Sequence, residues 1–198
     1  MKTVALTQRV DIVSSERRDS IDQKWFDFLL HCKLRPLLIP NNLELAKIVF
    51  NTIDFDGIIL SGGNDLIPYG GNAPERDEIE LYVLKLAIKK NIPLLGICRG
   101  MELIQHYFGI QLLQIAGHAG NMHEVKINGS SRKVNSYHDL GTDQTSNELE
   151  ILALASDGII ESIAHKRYPI KGIMWHPERN APFLNDDINF VKELFGVN

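Results

Sequence analysis

The sequence is poor in cysteine, with two among 198 residues, and that scarcity argues against a disulfide framework or a cysteine-rich zinc module. No apolar run approaches membrane-spanning length, and Met1 to Asp11 lacks the uninterrupted apolar stretch of a signal peptide, so a cytoplasmic protein without a membrane partner is expected. Nor is there an excess of positive charge: a formal net charge of -4 supplies no electrostatic reason to bind nucleic acid. The chain shows no Walker A or dinucleotide fingerprint after a strand, no internal repeat and no linker. At this length a single domain over residues 1–198 is the simplest expectation.

What is present is a regular alternation of strand and helix. Thr3 to Leu6 reads as a strand and Thr7 to Asp19 as a polar loop carrying Arg9, Arg17 and Arg18. A helix from about Ser20 to Lys33 follows, with Trp25, Phe28, Leu29 and Cys32 on its apolar face. Strand Arg35 to Ile39, helix Leu43 to Phe50, strand Phe55 to Leu60 and an amphipathic helix Glu75 to Lys90 come next. Beyond Ile110, Gln111 to Gln114, His123 to Ile127, Arg132 to Asn135, Leu149 to Ala155, Ile159 to His165 and Lys171 to Met174 read as strands. Asn128-Gly129 and Asp157-Gly158 suit hairpin turns, and Asp186 to Phe195 forms a closing helix. The expected fold is α/β: a mixed, mostly parallel central sheet with helices on both faces and an antiparallel extension in the C-terminal half. Ligands of such sheets bind at the carboxyl ends of the strands.

One stretch combines a buried strand with a sharp turn. Ile92 to Ile97 is apolar and opens with a proline at its second position, and Met101, Ile104 and Phe108 then repeat at helical spacing, which leaves Cys98 at the strand-to-helix junction. Gly96 and Gly100 flank it in the G-x-nucleophile-x-G arrangement, where the glycines allow close packing and the central side chain projects from the strand end. A helix N-terminus favours an anion, so a thiol there is expected to lean toward thiolate.

A cysteine nucleophile needs an imidazole to take its proton and a third group to orient that imidazole. Trp175-His176-Pro177-Glu178 offers both types just after a strand, with His176 and Glu178 two residues apart in an extended backbone. Ser61-Gly62-Gly63-Asn64, at the end of another strand, offers unobstructed backbone donors for an oxyanion: Gly63 would supply one and Arg99 the other. Each motif alone has an inert reading, namely a buried thiol, a surface His-Pro-Glu turn or an ordinary glycine turn. His118 and His123 are five residues apart but lack a third ligand, so no metal site is expected.

Together, Gly96 to Glu102, Ser61-Gly62-Gly63 and Trp175 to Glu178 resemble a class I glutamine amidotransferase-like domain over essentially the whole chain, most closely the γ-glutamyl hydrolase branch. Asn135-Ser136-Tyr137-His138 is similar to the Asn-Ser-x-His segment that lines the site in that branch. The resemblance implies Cys98 as nucleophile, His176 as base and acid, Glu178 as orienting group, Gly63 and Arg99 as oxyanion donors, and Asn64, Ser136, Tyr137 and His138 at the substrate. It implies no cofactor. Glutaminase members usually carry glutamine where this chain has Glu102. A carboxylate one helical turn past the nucleophile suits the α-ammonium of a γ-glutamyl group.

A stand-alone hydrolase of a small γ-glutamyl amine, needing no partner synthetase, is therefore expected. A glutaminase subunit delivering ammonia to a separate synthetase, a γ-glutamyl-GABA hydrolase and a non-enzymatic regulatory member of the fold are the alternatives. Arg9, Arg17 and Arg18 hint at an anionic leaving group. The segments Gln8 to Asp11, Glu16 to Asp19 and Asp22 to Trp25 resemble a bacterial subgroup associated with capsule polysaccharide synthesis, which frees cytidine diphosphoramidate from its γ-glutamyl conjugate.

Overall fold

The computed structural model describes residues 1–127 and 129–198. The chain runs β1 (Lys2–Leu6), β2 (Arg9–Val13), β3 (Glu16–Ser20), α1 (Lys24–His31), β4 (Leu34–Leu38), α2 (Leu43–Thr52), β5 (Gly57–Leu60), α3 (Pro74–Lys90), β6 (Leu94–Ile97) and α4 (Arg99–Tyr107). It continues through β7 (Leu113–Gln114), β8 (Ala119–Ile127), β9 (Ser130–Tyr137), β10 (Leu140–Gly141), β11 (Leu149–Ala155), β12 (Ile160–His165), β13 (Ile170–Ile173) and α5 (Asn185–Leu194). Nine strands form one sheet in the order β4-β1-β5-β6-β13-β12-β11-β8-β9. The first five pair in parallel, and from β13 to β9 every pairing is antiparallel.

Alternation along the strands divides the core into two layers. In β6, Leu94 joins Phe50, Ile79, Val83, Met101 and Ile104 on the face covered by α2, α3 and α4. Leu95 and Ile97 join Trp25, Phe28, Val191 and Phe195 on the face covered by α1 and α5. These side chains are almost completely buried, and each contributes on the order of 1.5–3 kcal/mol of transfer free energy. Helix α4 lies against β6 because the two flanking glycines leave room. A Cβ on Gly96 would come within 2.5 Å of the Gly100 carbonyl carbon, and one on Gly100 within 2.3 Å of the Leu60 oxygen.

The polar stretch after β1 departs from the expected loop. It folds as the β2–β3 hairpin, with Arg9 opposite Ser20 and Val13 opposite Glu16. Its alternation is masked in the sequence because only Val10 is buried, while Ile12 and Val13 stand in solvent. The hairpin consumes Ser20, so α1 begins at Lys24 and not at Ser20. β7 is shorter than expected, β8 and β9 longer, and β10 comes in addition. The turn between β11 and β12 closes with Gly158 donating to the Ala155 carbonyl at 3.0 Å. Asn128, half of the other expected turn, lies outside the described residues; β8 and β9 on either side of it pair antiparallel.

Candidate active site

Cys98 sits between β6 and α4 with φ 51° and ψ -110°, a backbone conformation few non-glycine residues adopt. It is held there because its amide donates to the Ile173 carbonyl at 2.7 Å on the neighbouring strand, while its own carbonyl accepts from the amides of Met101 and Glu102. The Arg99 amide donates toward the sulfur and favours the thiolate, but burial outweighs it and, with Glu102 nearby, pushes the thiol well above its ordinary pKa. The expected lean toward thiolate is therefore corrected. Removing the sulfur from water costs more than the helix terminus returns, which disfavours the thiolate.

His176 leaves β13 in extended backbone, and Pro177–Arg179 form one turn of 3-10 helix. That turn, and not a continuous extended segment, brings Glu178 back to His176. The Glu178 Oε1 lies 2.7 Å from His176 Nδ1, with both side chains 2 % exposed. A carboxylate on Nδ1 holds the proton there and leaves Nε2 free to accept one. Asn135 clamps the same residue from β9: its Oδ1 accepts from the His176 amide and its Nδ2 donates to the His176 carbonyl, both at 2.8 Å. The histidine and cysteine meet across Gly62, where a Cβ would stand 2.5 Å from His176 Cε1 and 3.5 Å from the Cys98 Cβ.

The Ser61-Gly62-Gly63 loop is organised by Arg76, which is completely buried at the start of α3. Its guanidinium donates to the carbonyls of Ser61 at 2.6 Å, Gly62 at 3.1 Å and Gly63, and its Nε to Glu80 at 3.0 Å. With its carbonyls drawn toward Arg76, the loop can leave amides for the cavity, and Gly63 turns through φ 84°. Glu80 also receives the Arg99 side chain, which reaches Asp77 as well. Two guanidiniums and two carboxylates thus neutralise one another beneath the loop. Burial lowers both arginines to about 9, still charged at neutral pH.

A cavity of about 370 Å³ opens over Cys98, lined by Gly63, Asn64, Arg99, Glu102, Tyr137, His138, His176 and Arg179 among others. Glu102 is 3 % exposed; burial raises its carboxyl to about 7, against the pull of His138 and Arg99. Among the described residues no donor is hydrogen-bonded to it. Tyr137 sets its ring edge-to-face on His176, centroids 5.6 Å apart, and carries the Arg179 guanidinium at 4.3 Å. Ser136 is fully buried behind this wall. Asn64 lines the cavity, but its amide is engaged with the Val10 backbone in both directions, tying the hairpin to the Ser61-Gly62-Gly63 loop.

The three hairpin arginines do not converge. Arg9 packs against Gly63 and lines a small recess with Trp25, His176 and Arg179. Arg17 is paired with Glu75 and the Asn72 carbonyl, Arg18 with Glu16, and neither lines either recess. Sequence reasoning did not single out Arg76, Glu80 and Arg179. The Arg76 to Glu80 spacing, with Ile79 and Val83 on the same inner face of α3, was the available sign of a buried ion pair.

The model of the class I glutamine amidotransferase family matches residues 15–187. The chain belongs to that family. This class I amidotransferase is 35% identical over 201 residues to the γ-glutamyl-CDP-amidate hydrolase of Campylobacter jejuni, the alignment covering 98% of each protein. It is 25% identical to the γ-glutamyl-γ-aminobutyrate hydrolase of Escherichia coli O157:H7, covering 82% of this chain and 80% of that one. A putative GMP synthase subunit from Thermoplasma acidophilum superposes over 99% of this chain and 93% of its own, with TM-score 0.74 at 20% identity, a likeness of fold. No helix among the described residues is long and apolar enough to cross a membrane.

Proposed function

We propose that this chain hydrolyses the amide bond of a γ-glutamyl amine through a cysteinyl thioester, and that its substrate is γ-glutamyl-CDP-amidate, releasing glutamate and cytidine diphosphoramidate. One observation carries the reaction class. Cys98, backed by His176 and Glu178, opens into a cavity whose wall also holds the buried, unpaired carboxylate of Glu102. Among the described residues no cation forms an ion pair with that carboxylate, His138 and Arg99 acting on it only from a distance, and the α-ammonium of a γ-glutamyl group would supply a direct partner.

The chemistry follows from the resting state. His176 Nε2 takes the thiol proton as the sulfur attacks the γ-carbonyl carbon, because a desolvated thiol does not ionise unaided. The amides of Gly63 and Arg99 hold the tetrahedral oxyanion, and Glu178 stabilises the imidazolium. The imidazolium returns its proton to the leaving nitrogen, the C–N bond breaks, and the amine departs. Water, deprotonated by the same imidazole, then cleaves the thioester and frees glutamate and the thiol. Water is the acyl acceptor, so the reaction requires no partner synthetase.

The similarity to the C. jejuni enzyme over nearly the full length supports the nucleotide leaving group. Arg9 and Arg179 at the site mouth suit its diphosphate. Arg17 and Arg18 line neither recess, so recognition is assigned to Arg9 and Arg179, although these also contact Asp11 at 3.2 Å and Glu178 at 3.8 Å. The test is a panel of γ-glutamyl-CDP-amidate, γ-glutamyl-GABA, γ-glutamyl peptides and glutamine, compared by kcat/KM. The nucleotide substrate is expected to lead by about 100-fold or more. Rapid hydrolysis of glutamine by the isolated chain would overturn the reading in favour of a glutaminase.

A further inference from the structure

Beside the catalytic cavity, four side chains from separate parts of the chain converge without satisfying one another. His118 precedes β8, His123 lies on β8, His138 follows β9 and Glu161 lies on β12. Glu161 is completely buried, and His118 and His138 are nearly so. His118 Nδ1 is 3.1 Å from Glu161 Oε1, and His138 Nε2 is 3.4 Å from the same oxygen. His123 Nε2 is 3.3 Å from Oε2. Yet all five of these atoms lack a hydrogen-bond partner, because the contacts do not have hydrogen-bond geometry.

The far nitrogens explain why. His118 Nε2 is 2.9 Å from Asp157 Oδ2, and His138 Nδ1 is 2.8 Å from the Leu140 carbonyl. Carboxylates and carbonyls accept only, so the proton of each imidazole belongs on that outer nitrogen. In neutral rings the inner nitrogens then present lone pairs to a buried carboxylate, which is repulsive unless a second proton on the ring or a cation between them intervenes; the contacts lack the geometry of N–H···O bonds, which favours a cation. An outer acceptor on each histidine is also the arrangement that orients metal-binding imidazoles. The distances agree: a tetrahedral ion with bonds of about 2.0–2.1 Å to nitrogen and oxygen sets its ligands about 3.3 Å apart. His118 Nδ1, His138 Nε2 and a Glu161 oxygen all lie within 4.8 Å of one another, so the wider edge closes by shifts of about 1 Å or less in each ring.

We propose that His118, His138 and Glu161 bind a divalent zinc-like ion, with His123 holding the second oxygen of Glu161. The two histidines His118 and His123 have no third ligand nearby in sequence, and the candidate partners, 15 or more residues downstream, reach them through the antiparallel half of the sheet. Two nitrogens and one oxygen suit zinc over the harder calcium or magnesium, which prefer oxygen throughout. His138 lines the catalytic cavity, so the ion would fix that wall from behind.

The test uses the full chain in a Cys98→Ala background, so that metal on the catalytic thiol is not counted. After chelator treatment, the protein is titrated with cobalt(II) chloride while its visible ligand-field bands are followed, and zinc retained after gel filtration is measured by mass spectrometry. About one equivalent per chain is expected, with the intense spectrum of tetrahedral cobalt. His118→Ala and Glu161→Gln should each abolish retention. His123→Ala and Asp157→Asn should keep the stoichiometry but weaken binding roughly 10- to 100-fold. Asp157 is half-exposed, so its variant reports even if removal of Glu161 prevents folding. Retention well below one equivalent, or binding unchanged in the folded variants, would overturn the site.

Discussion

Replacing Gly62 with alanine should disable the enzyme while leaving it folded, and the structure sets the scale. The new Cβ would stand 2.5 Å from His176 Cε1, against about 3.5 Å for carbon atoms in contact, so the ring has to retreat by about 1 Å. It cannot tilt freely, since Glu178 holds its other nitrogen at 2.7 Å and Asn135 holds its backbone on both sides. A misplacement of that size between base and nucleophile costs about 100-fold in rate. The loss should fall on kcat, with KM little changed, because Glu102, the proposed partner of the γ-glutamyl ammonium, lies elsewhere in the cavity wall. Gly70→Ala is the companion variant. That residue has φ 93° and nothing within 4 Å of where a Cβ would stand, so alanine there brings backbone strain of about 1–2 kcal/mol and no change in turnover. Steady-state kinetics on both proteins, with denaturant melts to measure stability, would settle the matter. Wild-type kcat in Gly62→Ala would refute the idea that this glycine makes room for the catalytic ring.

Glu178→Gln should lower kcat by about 10³–10⁴-fold with little effect on KM, because an amide no longer enforces the reactive tautomer; a loss below tenfold in steady-state assays would count against the triad. Glu102, raised to about 7 by burial, pairs with an ammonium only when ionised. Above pH 7 that pairing is present, and it is lost as pH falls through 7. kcat/KM should accordingly decline on the acid side near that value, and in Glu102→Gln that component of the decline should disappear as KM rises, leaving only the limb due to the catalytic base, a comparison read from pH profiles. Arg76→Met leaves three loop carbonyls without their donor and gives Glu80 one cation where it had two; a stability loss of about 3–5 kcal/mol is expected in urea melts, and a loss under 1 kcal/mol would mean the network is not structural.

Most of the α/β order was legible because parallel strands buried on both faces read as short apolar runs and amphipathic helices repeat at 3.6 residues. β1, β4, β5, β6 and α2, α3 and α5 lie within a few residues of where periodicity puts them. The β2–β3 hairpin was not legible, since one buried residue, Val10, among charged neighbours carries no period-two signal. Its register is held from outside by Asn64, which no local pattern reveals.

The sequence by itself determined the chemical identities: a cysteine between two glycines at a strand end, a histidine and a glutamate two residues apart, and a glutamate one turn after that cysteine. These are local facts, carried by spacing and by the conformations that glycine and proline permit. Only the tertiary structure decided the environments. Burial raised the Cys98 thiol above its ordinary pKa and lifted Glu102 toward neutrality. Packing of α3 under the Ser61-Gly62-Gly63 loop brought Arg76 to three consecutive carbonyls, and the antiparallel half of the sheet gathered three histidines around Glu161. Desolvation and long-range convergence depend on which surfaces are brought together, and spacing along the chain does not carry that information.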